Sequence, residues 1–265
     1  MLDAAAYSSQ FGQDRLLDTM LFEGMRDGVF LDVGANDGIK FSNTLFFERT
    51  RGWSGLCIEA DPASFDALAK NGRTAECLNI GVGVADATLP FLQVDGYHQM
   101  LSGLLATADM KAVDKAIRRN GGTKRIIDVP VRRLGDVLAE RSIREVHYLS
   151  LDIEGGEANV LRGVDFSRVM LHVATIECSS PKNLAAARSL TADAFEAVGM
   201  IEGDLLVVNR RSGVSQKVGL LAKHLADEHL RRVEAIETDR EQRNKGLRGL
   251  IVRPLMHLGR QASRW

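Results

Sequence analysis

Short apolar runs rich in β-branched residues alternate along this chain with segments of helical spacing. That is the pattern of βαβ units around a largely parallel sheet. Val29–Val33 predicts a first strand, followed by a glycine-containing loop and a helix near Ser42–Arg49 with Ser42 as its N-cap. Gly55–Glu59 predicts a second strand. Pro62 then opens a helix whose apolar face is Phe65, Leu68 and Ala69. A third strand is predicted at Glu76–Ile80, with Asn79-Ile-Gly-Val-Gly83 at its exit.

From Thr88 to Thr123 the pattern is less regular. Thr88–Val94 reads as a strand, Tyr97–Leu105 as a loop and Asp109–Arg119 as a charged helix. Ile126–Val131 alternates like a strand, and Val146–Ile153 is a strong strand with a Gly-Gly exit. Leu171–Glu177 gives another strand, Asn183–Val198 a helix, and Ile201–Asn209, broken at Gly203–Asp204, a terminal hairpin. The fold class predicted is α/β, a doubly covered and mostly parallel sheet over residues 1–212, with a helical appendage over 213–265.

Composition narrows the class. The 265 residues are 45% hydrophobic and 26% charged, values of a globular chain with enough length for a large core. A net charge of −1 and 6% aromatic residues give neither a field nor a stacking surface for nucleic acid. Cys57, Cys77 and Cys178 form no CxxC pair, which fits reduced thiols better than bridges or a zinc site. Met1–Gln13 lacks the basic start and apolar stretch of a signal peptide, and no apolar run reaches 18 residues. A cytoplasmic location is therefore expected.

The tail departs from the rest. Residues 214–265 carry 11 Lys+Arg against 6 Asp+Glu, so the remainder is acidic. Val218, Leu221, Leu225, Val233 and Ile236 form one apolar stripe; Leu247, Leu250, Ile251, Leu255 and Leu258 form another in the acid-free segment Asn244–Trp265, where Pro254 would kink a helix. This appendage is expected to serve association with a second copy, a partner protein or a membrane surface, or to pack on the core.

The densest chemical signal is Phe30-Leu-Asp-Val-Gly-Ala-Asn-Asp-Gly38. An apolar strand ends in Asp32, and Gly34 and Gly38 let the chain turn and a ligand approach closely. Asp32 can accept from an ammonium group, and free N–H groups at the next helix start can hold a carboxylate. S-adenosylmethionine carries both groups. A dinucleotide fingerprint needs a second glycine where Asn36 stands, and Asp37 would repel a pyrophosphate. Glu59, 27 residues after Asp32, can accept from ribose hydroxyls, while Gly81 and Val82 suit a flat purine edge.

A second signal is Leu149-Ser-Leu-Asp-Ile-Glu-Gly-Gly-Glu157, which crowds Asp152, Glu154 and Glu157 at a strand exit, where ligands of open α/β sheets bind. Asp152 and Glu154 are the candidate catalytic residues. Glu157 is read either as part of the site or as a helix-opening residue. Asp152 and Glu177 end neighbouring strands and could hold Mg²⁺; the metal set is otherwise open. His98 is a further base candidate, Ser102-Gly103 a substrate contact or plain turn, and His147 and His172 structural strand residues.

The runs Ser9-Gln-Phe-Gly-Gln-Asp14, Asp32-Val-Gly-Ala-Asn-Asp-Gly38, Ser42-Asn-Thr44, Gly52-Trp-Ser-Gly-Leu-Cys-Ile-Glu-Ala-Asp-Pro62 and Leu151-Asp-Ile-Glu-Gly-Gly-Glu157, in that order, resemble the FkbM family of methyltransferases over about residues 7–210. The resemblance implies a Rossmann-like class I domain with a mixed seven-stranded sheet and one antiparallel strand. It implies an S-adenosylmethionine-dependent enzyme that methylates hydroxyls of sugars, polysaccharides or polyketide-type products. It further implies that Asp32, Gly34, Ala35, Asn36, Asp37, Gly38 and Glu59 hold the cofactor, with Asp152 near the transferred methyl. Asp95–Arg125 matches no pattern and is expected to shape the acceptor pocket. An NAD(P)-dependent oxidoreductase and a non-catalytic scaffold remain the alternatives.

Overall fold

The computed structural model describes residues 6–96, 99–232 and Ala235. His98 and the tail positions Val233, Ile236 and Asn244–Trp265 lie outside the described residues. The elements in order are α1 (Gln13–Leu16), continued by a wider helical turn over Leu17–Phe22, then β1 (Val29–Val33), α2 (Leu45–Arg51), β2 (Ser54–Ile58), α3 (Pro62–Lys70), β3 (Glu76–Leu78), β4 (Gly81–Gly83) and β5 (Ala87–Asp95). β6 (Gly103–Leu104), α4 (Met110–Asn120), β7 (Thr123–Arg133), α5 (Leu134–Glu140), β8 (Glu145–Leu151) and α6 (Glu157–Arg162) follow. β9 (Met170–Glu177), α7 (Pro181–Thr191), β10 (Phe195–Ile201) and β11 (Asp204–Asn209) complete the sheet.

Seven strands pair in the order β10-β11-β9-β8-β1-β2-β3. Only β11 runs against its neighbours in this sheet, as the Rossmann-like expectation required. Chain order reverses between β1 and β8, so their carboxyl ends open a crevice at the topological switch point. One sheet face is closed by aliphatic residues, with Leu31, Val33, Leu149 and Leu151 meeting Val137, Val160 and Ala187 of the helices. Each such buried side chain contributes about 1.5–3 kcal/mol. The other face is aromatic: Phe47 contacts Phe22, Phe46, Trp53 and Tyr148.

Several elements differ from the sequence expectation. The helix expected from Ser42 starts at Leu45 with Thr44 as its N-cap, because Ser42 Oγ takes the Thr44 and Leu45 N–H groups one step earlier, and β6 lies inside the segment expected to be a loop. The predicted third strand is cut at Leu78. Asn79 donates to the Glu59 and Ala60 carbonyls, and the chain then crosses into a second sheet of order β4-β7-β5-β6. The predicted helix over Asn183–Val198 begins earlier and ends at Thr191, because Ser180 caps it, with Pro181 in its first turn. Its last predicted turn is β10 instead. A register shift between Ala197 and Gly199 places Phe195, Val198 and Ile201 on buried positions three apart, which imitates helical spacing. The hairpin therefore starts at Phe195 and turns at Glu202–Gly203.

The chain divides into two compact units, Met1–Leu221 and Ala222–Trp265. Within the first, Lys217 donates to the Leu21 carbonyl and Val218 and Leu221 are buried. In the second, residues 222–232 are helical and carry Lys223–Asp227 and His224–Glu228 pairs. Among the described residues, no helix is long and apolar enough to cross a membrane.

Candidate active site

Gly34 sits where β1 ends, at φ 90°. A Cβ there would lie 1.6 Å from the Asp152 carbonyl oxygen, so only glycine lets the β1 and β8 exits close up. The N–H groups of Gly34 and Ala35 both donate to Ile58 O, at 2.9 and 3.1 Å, and Gly38 N donates to Ala35 O. Asn36, in the left-handed region at φ 49°, donates its N–H to Glu59 Oε2 at 2.8 Å. Within this turn the Gly34, Ala35, Asn36 and Gly38 N–H groups are used by the protein itself. Asp37 accepts from Ile39 N and Lys40 N, and Gly38 packs against Leu68 and Arg73, so these two residues shape the loop and line neither pocket described below.

Glu59 is buried, with its second oxygen accepting from Asp61 N at 2.8 Å. Burial pushes its pKa up to about 7, against the pull of those backbone bonds. Each carboxylate oxygen keeps a lone pair for a further donor such as a ribose hydroxyl.

Asp32 is also buried. Its Oδ2 accepts from Thr44 Oγ1 at 2.6 Å and Ser42 Oγ at 3.3 Å and lies 3.8 Å from Arg73. Burial raises its pKa, opposed by Arg73 and the two hydroxyls. Arg73, to which no sequence motif pointed, is the hub of this network. It bonds Glu48 at 2.8 Å, Gly38 O at 2.9 Å and Thr44 Oγ1 at 2.8 Å, with its side chain fully enclosed. Asn43 donates to Ser150 Oγ, while its own Oδ1 is a buried acceptor without a partner.

At the β8 and β9 exits three carboxylates converge. Asp152, Glu154 and Glu177 place one oxygen each within 4.8 Å of one another. Asp152 is hemmed in by protein yet open to solvent through the pocket. Burial, then Asp204 and other carboxylates, push it up to about 7, while a hydrogen bond with Glu177 works the other way. Burial and Asp152 push Glu154 up to about 7. Burial and both neighbours push Glu177 up to about 10, and its Oε2 is buried without a partner. Glu177 thus holds its proton more tightly than an ordinary carboxyl, through burial and the neighbouring carboxylates. Glu157 stands apart: it opens α6, and its carboxylate accepts from Gly155 N at 2.9 Å, fixing the Gly-Gly turn.

These groups line two adjoining pockets. The first is an open pocket bounded by the β1, β2 and β8 exits. Its walls include Glu59, Asp61, Gly81, Val82, Phe91 and Leu104. The second contains Asp32, Ala35, Lys40, Asn43, Ser150 and Asp204. Gly34, Asn36, Met100 and Asp152 belong to both. Ser102 lines the first pocket, and its hydroxyl accepts from Val94 N and donates to Gln99 O, closing the turn there. Phe91, Gln99, Met100, Ser102 and Leu104, from the segment without a recognised pattern and the strand before it, wall the pocket that also holds Glu59. Gln10, Phe11 and Gln13 also reach the second pocket. Their run was among the recognised motifs, but nothing in it signalled their place. Asp14 organises that segment by accepting from Ser8 N, Ser9 N and Ser9 Oγ.

Glu145, His147 and His172 form another close cluster. The imidazoles stack at 4.9 Å with 2° between planes, so their in-plane lone pairs run parallel and cannot converge on one ion. His147 Nδ1 also accepts from Val29 N, which leaves the proton on its other nitrogen. Their role is to pack and to tie the strands.

A family model described as Methyltransferase FkbM domain matches residues 32–198, more than half of the chain. The curated relatives include "Methyltransferase 1" of Beauveria bassiana (strain ARSEF 2860), 30% identical over 62% of this chain and 70% of the relative. Methyltransferase sdnD of Sordaria araneosa is 29% identical over 51% of this chain and 60% of its own. The 31-O-demethyl-FK506 methyltransferase FkbM of Streptomyces tacrolimicus is 32% identical over 56% of this chain and 65% of its own. Among solved structures, methyltransferase FkbM from Methylobacillus flagellatus KT superposes with TM-score 0.44 at 14% identity, over 69% of this chain and 43% of that one. A match of this extent to a methyltransferase family sets aside the oxidoreductase alternative. The crevice at the β1–β8 switch point is the candidate active site of a chain that belongs to the FkbM family of methyltransferases.

Proposed function

We propose that the chain transfers the methyl group of S-adenosylmethionine to a hydroxyl of a sugar, polysaccharide or polyketide-type acceptor. The observation that carries this reading is the meeting of two pockets at Gly34, Asn36 and Asp152. Glu59 in the first pocket takes the ribose hydroxyls, and Gly81 and Val82 border the purine. In the second, Asp32 and the unpartnered Asn43 Oδ1 face the ammonium group, and Lys40 supplies the positive charge for the cofactor's carboxylate. Family membership implies the cofactor, and a relative named a 31-O-demethyl-FK506 methyltransferase supports oxygen as the receiving atom.

The sulfonium methyl is already activated, so the chain's task is alignment and proton removal. The acceptor hydroxyl gives its proton to the Asp152–Glu154 carboxylate pair. Its oxygen bonds to the methyl carbon, the C–S bond breaks, and the electron pair returns to sulfur as a neutral thioether. General-base catalysis of this kind contributes about 10²–10⁴-fold. Asp152→Asn should lower turnover by that order while cofactor affinity stays near wild type; an unchanged rate at saturating substrate removes Asp152 from the mechanism.

A second reading has its own support. Three carboxylates within 4.8 Å, one with a buried unpartnered oxygen, form a donor set suited to Mg²⁺. A cation there would acidify the hydroxyl directly. Chelation separates the two: full activity in EDTA leaves the carboxylates as bases, and loss restored by Mg²⁺ assigns them as ligands.

A further inference from the structure

Cys57 on β2 and Cys77 on β3 are direct partners in the parallel register. Adjacent strands lie about 4.7–4.9 Å apart, inside the ~4.4–6.8 Å between Cα atoms that a disulfide spans. As in-register partners the two side chains leave the same face of the sheet side by side, and neither is in a disulfide. Their surroundings differ. Cys57 is fully enclosed, and the neighbouring Cys77 and its burial push its thiol up. Cys77 lies on the edge strand and is half-buried. The neighbouring Cys57, and behind it the Arg73 guanidinium, bring its thiol down to about 7 against the effect of burial. As a thiol it donates to the Ala75 carbonyl at 3.5 Å. A partly exposed sulfur held near a cation is the attacking partner of a redox pair, and an enclosed thiol in contact with it is the resolving one.

We propose that Cys57 and Cys77 form a peroxide-oxidisable dithiol that closes reversibly to a disulfide behind the cofactor loop. The Cys77 thiolate attacks one oxygen of a hydroperoxide, the O–O bond breaks, and Cys77 becomes a sulfenic acid as hydroxide or alkoxide leaves. Cys57 then attacks the sulfenic sulfur, its proton leaves with the departing hydroxyl as water, and the S–S bond forms. A dithiol reductant reverses the step. The link to the site is Arg73, which lies between α3 and β3 and whose donors hold Gly38 O and Thr44 Oγ1. Drawing Cys77 towards Cys57 shifts β3, and with it the adjoining segment that carries this guanidinium. Oxidation then loosens the loop and lowers cofactor affinity. That second half rests on the proposed cofactor site; the disulfide itself does not.

The test is hydrogen peroxide treatment of the full chain, followed by non-reducing peptide mapping and calorimetric titration with S-adenosylmethionine. The expected result is one Cys57–Cys77 cross-linked peptide, absent in Cys77→Ser, and a several-fold loss of affinity that dithiothreitol restores. Sulfinic acid on Cys77 without the cross-link overturns the proposal. So does a cross-link through Cys178. A Cys57–Cys77 cross-link with unchanged affinity refutes the coupling to the cofactor loop. Absence of cofactor binding in the untreated chain refutes the site instead, leaving the mapping result to stand alone.

Discussion

Glu177 is the residue whose setting departs furthest from water: a carboxyl pushed up to about 10 beside two others at about 7, with one buried oxygen unpartnered. Raised folded-state values mean that the native state binds these protons more tightly than the unfolded chain does. The stability they give is complete below the ordinary carboxylate range and is lost as pH rises through about 7 for Glu59, Asp152 and Glu154, and on towards about 10 for Glu177. The melting temperature of the cofactor-free chain should therefore fall between about pH 5 and about pH 8. A scan across that window checks it, and a flat or rising curve contradicts protonated carboxyls at these positions. Ionising the same base for catalysis requires the opposite limb, so kcat/KM should rise through about 7.

Among the elements, Arg73 shows how the β1 exit, α2 and the turn after α3 are bolted together. Replacing it with methionine leaves Asp32 and Glu48 buried without their counter-charge, which costs roughly 3–5 kcal/mol. Chemical denaturation of Arg73→Met measures this, and a loss below about 1 kcal/mol, the range of an exposed pair, would show that the network is not closed to solvent. Sequence made the strands and their acids legible because position follows directly from them: Asp32 and Glu59 stand at or just beyond strand ends, and Asp152 follows Leu151. Arg73 was not legible, since a charge between α3 and β3 has no pattern that announces burial. The bulge in β10 hid a strand behind helical spacing. The crossing from β3 to β4 hid a whole second sheet, because two short strands of different sheets share one apolar run. Pocket-lining Gln10, Phe11, Gln13 and Asn43 belonged to recognised motifs, but their meeting depends on chain segments far apart in sequence.

For the whole molecule, the boundary of the compact unit at Leu221 sets where the tail can be removed. A cut after Ser212 would strip Lys217, Val218 and Leu221 from their contacts and burial sites. We propose that the residues beyond Leu221 serve association with a second copy, a partner protein or an anionic membrane surface. A chain ending at Leu221 should stay folded and bind cofactor with unchanged affinity while losing oligomer or vesicle association. Light scattering and vesicle flotation read the change, and unfolding on truncation would assign the tail to the core.

Every role proposed for the site depends on the crevice between β1 and β8 binding S-adenosylmethionine with Glu59 on its ribose. Calorimetric titration of S-adenosylmethionine into the wild-type chain and into Glu59→Ala decides the matter. Saturable binding by the wild type is expected, with a loss of roughly 1.5–3 kcal/mol in the variant, the worth of hydrogen bonds to a charged acceptor. Equal affinity in the two folded proteins, or no binding to the wild type, would contradict that assignment.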